Sequence, residues 1–379
     1  MIQAAYIHIP FCHQICHYCD FNKVFFKGQP VDDYLQHLGL EIVNTLQQYP
    51  TQKLKTVFIG GGTPTSLNET QLETLLGIIN GSLPMESDDV EFTIEANPGD
   101  LTREKLTVLK AGGVNRLSIG VQSFNNELLK KIGRTHQRDD VIKGIELSRE
   151  LGFKNISIDL IYSLPNQTLP DFKETLQQAF RLDLEHFSAY SLIIEPKTVF
   201  YNLMRKGNLP LPSQDSEAKM YEYLMDQMPA HGYCQYEISN FSKPGYESKH
   251  NLTYWNNEEY YGFGAGAHSY VNGKRNANAG PLKKYMTLVE EKGIPYVESH
   301  IVSKSEQMEE ELFLGLRKSQ GVSITHFHEK FNQSIMDVFG AQIDDNIRRG
   351  LLTLEGDTLS LTRKGKFLGN EVFQAFIGT

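Results

Sequence analysis

Apolar and polar positions along the first 230 residues switch back and forth between two periods. Ala4 to Ile9 is a short apolar run stopped by Pro10, which reads as a buried strand. Asp32 to Leu46 follows a helical period, with Tyr34, Leu35, Leu38, Ile42 and Leu46 on one face. Lys55 to Ile59 is the next strand, broken by Gly60-Gly61-Gly62, and Thr70 to Ile79 is helical again. The alternation continues with strands at Val90–Ile94, Arg116–Val121, Asn155–Tyr162 and His186–Ile194. Helices are predicted between and after them, at Thr102–Ala111, Asn126–Ile132, Arg138–Leu151, Leu169–Phe180 and Ser216–Met228. Six strand-then-helix units without a hairpin turn between strands predict a parallel sheet with right-handed crossovers. The two further units of a closed eight-unit barrel are not found.

The expected fold is therefore α/β: a partial six-unit (β/α)6 barrel over residues 1–230, then an irregular segment, then a small C-terminal domain. Periodicity fails over 231–300, a stretch rich in Gly, Asn and Tyr that includes Tyr260-Tyr261-Gly262-Phe263-Gly264-Ala265-Gly266-Ala267-His268-Ser269. Long irregular segments in compact enzymes are uncommon and often functional. Over 301–379, helices at Glu306–Leu316, Ile324–Phe331 and Ile335–Arg348 precede a hairpin at Leu351–Leu361 and a last helix at Thr362–Phe376. Three helices and a wing predict a winged-helix-like domain.

Charge narrows what that last domain does. The chain carries a net charge of −9 with no long basic run, which argues against nucleic acid as a main partner. The winged-helix-like part is itself slightly acidic, which favours a packing or covering role. At 379 residues, 40% hydrophobic and 22% charged, the chain is sized for two domains and has the composition of a soluble globular protein. No stretch approaches the roughly 20 apolar residues of a membrane span. The N-terminus lacks the pattern of a signal peptide, so a cytoplasmic location is expected.

The chemistry concentrates in Cys12-His13-Gln14-Ile15-Cys16-His17-Tyr18-Cys19. Thiolates spaced C-x3-C-x2-C suit three corners of a cubane iron–sulfur cluster and leave its fourth iron without a protein ligand. Spacing alone leaves zinc open, since His8, His13 or His17 offers a fourth ligand. So few cysteines suit a reducing compartment, and the fourth, Cys234, is expected to be a buried core thiol. In parallel α/β barrels chemistry collects where strands end. Here those ends carry Gly61, Gly62 and Thr63, then Glu95, then Gln122, with Asp159 on strand five and Arg134 after strand four. Such a set suits a zwitterionic nucleoside, with carboxylates for ribose hydroxyls and Arg with Gln for a ligand carboxylate.

C-x3-C-x2-C followed by G-G-G-T-P-T, E-A-N-P, V-Q-S-F and D-L-I-Y resembles the radical S-adenosylmethionine (SAM) family. More narrowly, it resembles the branch of oxygen-independent coproporphyrinogen III oxidases (HemN) and the haem chaperones related to them (HemW). The resemblance covers nearly the whole chain. It implies that Cys12, Cys16 and Cys19 hold a [4Fe–4S] cluster whose open iron takes the amino and carboxylate groups of S-adenosylmethionine. It also implies that Tyr6, Tyr18, Gly61, Gly62, Thr63, Glu95, Gln122, Arg134 and Asp159 line the nucleoside pocket. Reductive cleavage of the sulfonium would give a 5′-deoxyadenosyl radical, chemistry that belongs to the cofactor.

Three features resemble the chaperones rather than the oxidases. Phe21 stands where the oxidases carry a further cysteine, the segment before the first strand is short, and His250-Asn251-Leu252-Thr253-Tyr254-Trp255 fits an H-N-x-x-Y-W haem motif. The resemblance implies haem as a third cofactor. His250 would be the axial ligand, and Asn251, Tyr254 and Trp255 would lie beside the porphyrin. The expected function is binding haem and passing it to an acceptor protein; the alternative is coproporphyrinogen oxidation. No catalytic residue is assigned. An electron donor such as flavodoxin or ferredoxin, a homodimer, and peripheral contact with a membrane acceptor complete the expected partners.

Overall fold

The computed structural model describes residues 2–85 and 89–378. Six parallel strands lie side by side in chain order: β1 (Ala4–Ile9), β2 (Thr56–Gly61), β3 (Glu91–Ala96), β4 (Arg116–Gln122), β5 (Asn155–Tyr162) and β6 (His186–Ser191). Helices alternate with them as predicted: α1 (Val31–Gln48), α2 (Glu69–Ser82), α3 (Arg103–Ala111), the pair α4 (Asn126–Lys131) and α5 (Arg138–Glu150), and α6 (Leu169–Phe180). Two more, α7 (Val199–Arg205) and α8 (Gln214–Ala230), follow β6, and only the second shows in the sequence pattern.

The strands alternate, apart from the bulge that ends β4. Val57, Ile59, Phe92, Ile94, Leu117, Ile119, Ile156 and Ile158 are buried in one continuous core on the side that meets the helices. Each such side chain taken out of water is worth about 1.5–3 kcal/mol. The other face of the same strands carries Glu91, Thr93, Glu95, Arg116, Ser118, Ser157, Asp159, His186 and Ser188. These polar groups meet one another across the interior, as Ser118 meets Asp159 and Ser157 meets His186. A barrel built only for stability fills its interior with branched aliphatic layers. This one keeps a largely polar interior, part of it bonded to the helix Lys249–Trp255 at one end and part of it open at the other.

The stretch 231–300, where periodicity fails, is not structureless. It supplies both flanks of the barrel sheet: β7 (Asn240–Ser242) pairs antiparallel with β6, and β8 (Tyr261–Phe263) pairs parallel with β1. With the two-residue strand Cys234–Gln235 outside β7, the sheet has nine strands and stays open. Between the flanks lies α9 (Lys249–Trp255). After β8 come a three-stranded antiparallel sheet, β9 (His268–Val271), β10 (Lys274–Asn278) and β11 (Tyr296–Ile301), and a helix, α10 (Leu282–Lys292). Strands of two or three residues, such as the two flanking ones, are too short for a period to register in the sequence.

The C-terminal part has a separate core, in which Leu312, Phe327, Phe339, Ile343 and Phe373 are buried together. Helices α11 (Lys304–Gly315), α12 (Ile324–Phe331) and α13 (Ile335–Arg348) carry it. The strand β12 (Val322–Ser323) joins the wing hairpin of β13 (Leu352–Glu355) and β14 (Thr358–Leu361). The last helix is broken in two around Leu368, into α14 (Arg363–Phe367) and α15 (Gly369–Gln374).

Helix α9 is seated by a single buried carboxylate. Glu91, the first residue of β3, accepts hydrogen bonds from the Ser248 hydroxyl (3.3 Å) and from the Lys249 and His250 backbone N–H groups (3.0 Å each). Those N–H groups have no partner within the helix itself. Glu91→Ala is therefore expected to lower the unfolding free energy by about 3 kcal/mol, the worth of hydrogen bonds to a charged acceptor. Urea denaturation measures it, and a loss below about 1 kcal/mol would mean that α9 is held by other contacts.

Candidate functional site

At the C-terminal ends of the parallel strands the interior opens into a cleft of about 510 Å³. Cys12, Cys16 and Cys19 form one wall, and Tyr18 lies among them. Gly61, Gly62 and Thr63 line it from the end of β2, Glu95 from β3, Gln122 from β4, Asp159 from β5, and Arg134 from the turn before α5. Parallel strands bring these residues to one place, since strands running the same way end at the same edge.

Local sequence explains how each side chain gets there. After Pro10 the chain forms a short strand, Phe11–Cys12, which pairs with Val24–Phe25 and closes residues 13–23 into a loop. His17 pins that loop: its N–H donates to the Ile132 carbonyl, and its Nδ1 lies 3.0 Å from the Lys131 carbonyl. Glycines clear the space. A Cβ at Gly60 would lie 2.9 Å from the Glu95 carboxyl carbon, one at Gly62 2.9 Å from Cys12 Sγ, and one at Gly120 2.9 Å from Arg134 Nη2. Gly61, at φ +117°, turns its N–H onto Glu95 Oε2 at 3.0 Å. Gln122 closes β4 at a bulge with φ 65°, a conformation that costs a non-glycine residue about 1–2 kcal/mol and re-aims its side chain.

The electrostatics are those of a site waiting for charge. Burial, reinforced by Asp159, pushes the Glu95 carboxyl up to about 8, against the opposing Gly61 N–H. Burial also raises Asp159, opposed by Ser188, Arg116, Ser118 and Arg134. The Cys12 thiol is pushed up to about 11 by burial, although the Thr63 hydroxyl points at its sulfur, and Cys19 is raised for the same reason. Arg134 lies 3.4 Å from Cys16 Sγ and donates to the Gly120 carbonyl, yet its Nε is buried without a partner. The guanidinium thus lines the same cleft as three thiols and two carboxyl groups. That donor set fits a thiolate-held cluster carrying a small zwitterionic ligand.

The histidines near the thiols are committed elsewhere. His8 bonds the Asn22 carbonyl (2.7 Å) and the Tyr6 hydroxyl (3.0 Å), and His13 reaches the Ser66 carbonyl (3.1 Å). Among the described residues no three His, Cys, Asp or Glu side chains gather as ligands of a single ion.

Several expected residues lie elsewhere. Tyr6 does not line the cleft; its ring stacks on Phe58, 6.2 Å away, inside the barrel. His250, Asn251, Tyr254 and Trp255 sit on α9 at the opposite end of the barrel, against Thr56 and Glu91, which begin their strands. His250 is 1% exposed and both ring nitrogens are engaged, with Thr56 Oγ1 and the Tyr254 hydroxyl at 2.9 Å each. Its ring stacks on Phe58 at 5.1 Å, and burial with nearby Arg116 pulls its pKa down to about 3. The imidazole therefore has no nitrogen open to an iron in this conformation. Trp255 lies under the Arg317 guanidinium of the C-terminal part, 5.2 Å from its ring centre. Cys234, expected in the core, is exposed on the outermost strand, because an edge strand leaves one side of its residues to solvent.

Sequence reasoning also missed residues that line the cleft: Asn97, Ser118, Tyr190, Leu192 and Ile193. Strand alternation could have found Ser118, two positions before Gly120, and Tyr190, two after Ser188. Leu192 and Ile193 lie beyond the strand and left no local signal.

A family model of the radical SAM superfamily matches residues 6–179, and one of the HemN C-terminal domain matches 302–368. The chain is 56% identical to the haem chaperone HemW of Bacillus subtilis over 377 residues, all of both chains. It is 36% identical to the haem chaperone HemW of Escherichia coli, over 99% of this chain and 98% of that one. Among solved structures, coproporphyrinogen III oxidase (HemN) of Escherichia coli superposes with a TM-score of 0.87 at 24% identity. That match covers all of this chain and 90% of the other, a likeness of fold.

His250 gives a pH signature. Its folded pKa lies below its unfolded value, so it contributes stability above about 6.5 that is lost as pH falls toward about 3. His250→Ala is expected to cost about 2–3 kcal/mol at pH 7 and to flatten the decline of stability in that window. Denaturation midpoints at several pH values test this, and an unchanged acid slope would show that the imidazole is not buried neutral.

Proposed function

The chain belongs to the HemW family of radical SAM proteins, and from that footing we propose that it is a haem chaperone that binds haem and passes it to an acceptor protein. Membership of the superfamily implies a [4Fe–4S] cluster and S-adenosylmethionine. In this reading Cys12, Cys16 and Cys19 ligate the cluster, and S-adenosylmethionine is exchangeable at the open iron. The observation that carries the cofactor half is the convergence of the three thiols, Glu95, Asp159 and the Arg134 guanidinium on one cleft. The full-length similarity to curated haem chaperones supports the haem half.

The chain's own residues have separable tasks. Glu95 and Asp159 accept from ribose hydroxyls, Arg134 and Gln122 hold the ligand carboxylate, and Gly61, Gly62 and Thr63 admit it to the backbone. Tyr18 covers it from the cluster loop, and Tyr6 supports the floor behind it through His8. Bound, the pair supplies one-electron chemistry at the sulfonium. The thiols must shed protons to ligate, and burial keeps Cys12 protonated, so loading releases protons and is favoured by alkaline pH.

Helix α9 is the haem-contacting segment of this reading, with Asn251, Tyr254 and Trp255 beside the porphyrin. For His250 to become the axial ligand, its bonds to Thr56 and Tyr254 must open, so haem binding through it requires movement of α9. The haem acceptor and a flavodoxin- or ferredoxin-type donor are the partners the function demands. No helix among the described residues is long and apolar enough to cross a membrane, so a membrane acceptor would be met peripherally.

Anaerobic reconstitution with iron and sulfide, followed by haem titration with and without S-adenosylmethionine, tests the reading. Stoichiometric haem uptake is expected, and incubation with coproporphyrinogen III should release no CO2. Turnover to protoporphyrinogen would replace the chaperone by an oxidase. A second measurement concerns Glu95. Its free pKa of about 8 must fall when a sulfonium cation enters, so binding below pH 8 expels a proton. Calorimetry in two buffers of different ionisation enthalpy should show that release, and Glu95→Gln should abolish it. Identical heats in both buffers would take Glu95 out of the binding step.

A further inference from the structure

We propose that Asn22 is a positioning residue for the cysteine loop, and that the glycine-rich turn 264–266 together with Gly280 is its socket. The inference rests on the reading that this loop carries the cluster. It gives a role to residues 264–280, which none of the three cofactors accounts for.

Asn22 follows Cys19 by three residues. Its Nδ2 donates to the Ala265 carbonyl (2.8 Å) and the Gly280 carbonyl (3.0 Å), and its own carbonyl accepts from His8 Nε2 (2.7 Å). The socket is shaped for it. A Cβ at Gly266, where φ is +77°, would stand 2.7 Å from Asn22 Nδ2, and one at Gly264 would stand 2.5 Å from the His8 carbonyl oxygen. Behind the socket, the buried carboxylate of Glu41 on α1 accepts from the Gly264 N–H (2.8 Å) and Asn278 Nδ2 (2.7 Å). The Tyr34 hydroxyl accepts from the Ala265 N–H (3.1 Å) while donating to the His8 carbonyl (2.7 Å). Every group that holds the socket is thus itself held.

The loop needs such an anchor. Within the run that carries Cys16 and Cys19 the backbone makes one internal bond, from the Cys19 N–H to the Cys16 carbonyl (3.3 Å). His17 fixes one side of Cys19, and Asn22 fixes the other. Ordering one residue costs roughly 1–2 kcal/mol of backbone entropy, so a loop pinned in advance spares cluster binding part of that cost. Groups that orient metal ligands from behind typically change metal retention by roughly 10–100-fold.

Three variants separate positioning from general stability. Asn22→Ala removes the two donated bonds. Asn22→Asp keeps the shape but turns acceptors toward two carbonyl oxygens. Phe327→Ala lowers stability in the separate C-terminal core and serves as the control. In reconstituted protein, both Asn22 variants are expected to lose iron to a chelator roughly 10-fold faster and to alter the electron paramagnetic resonance spectrum of the reduced cluster. Phe327→Ala should do neither. In metal-free protein, amides 16–23 should exchange hydrogen faster in both Asn22 variants than in the unsubstituted chain. Unchanged iron loss and exchange in Asn22→Asp, or equal effects from Phe327→Ala, would overturn the proposal. If the unsubstituted protein takes up no iron and sulfide, the cluster reading fails, and the exchange measurement alone decides whether Asn22 pins the loop.

Discussion

The constraint on which the structure depends is the two-residue alternation of its parallel strands. One set of side chains is apolar and buys stability against the helices, and that leaves the opposite set free to be polar. Because the same strands supply both sets, the chemistry is mounted on the most rigid part of the molecule. Glu95 and Asp159 are held within six- and eight-residue strands, with backbone ladders on both sides. Burial on such a rigid frame, reinforced by the neighbouring Asp159, holds the Glu95 carboxyl above the usual carboxylate range.

The two ends of the barrel do different work. The C-terminal end is open, and glycines there make room for longer side chains arriving from neighbouring strands. The N-terminal end is closed by α9, whose imidazole, carboxylate cap and tyrosine form a satisfied buried network. Arg116 lies in the same interior, fully buried with its Nε unpartnered, and Asp159 and His250 both respond to its charge. The floor and the cleft are thereby linked electrostatically, although the groups at each end come from different parts of the chain. Helix α9 also meets the C-terminal part, through Trp255 under Arg317 and through the Asn256 side chain, which accepts from Lys318 Nζ at 2.7 Å.

The stretch after α8 shows how much structure can hide from periodicity. It provides both flanking strands of the main sheet, the floor helix and the socket behind the cysteine loop. Its glycines follow from close approach as much as from turns: a Cβ at Gly262 would overlap the His268 carbonyl oxygen. Tyrosines and asparagines accompany them because this stretch satisfies buried polar groups contributed by other elements, as Asn278 and Tyr285 do for Glu41.

The sequence by itself determined the six strand–helix units, the parallel order and the cysteine spacing. It also determined the residues at the strand ends, because each is written in a local period or a short motif. Nearly every residue expected around the nucleoside pocket reached the cleft for that reason. Tertiary structure alone decided that Tyr6 packs on Phe58 behind the cleft, that Cys234 faces solvent, and that His250 spends both nitrogens inside the floor. It alone brought Asn22 to Ala265, 243 positions away. Those outcomes depend on which distant segment arrives at a given face, and no window of neighbouring residues carries that information.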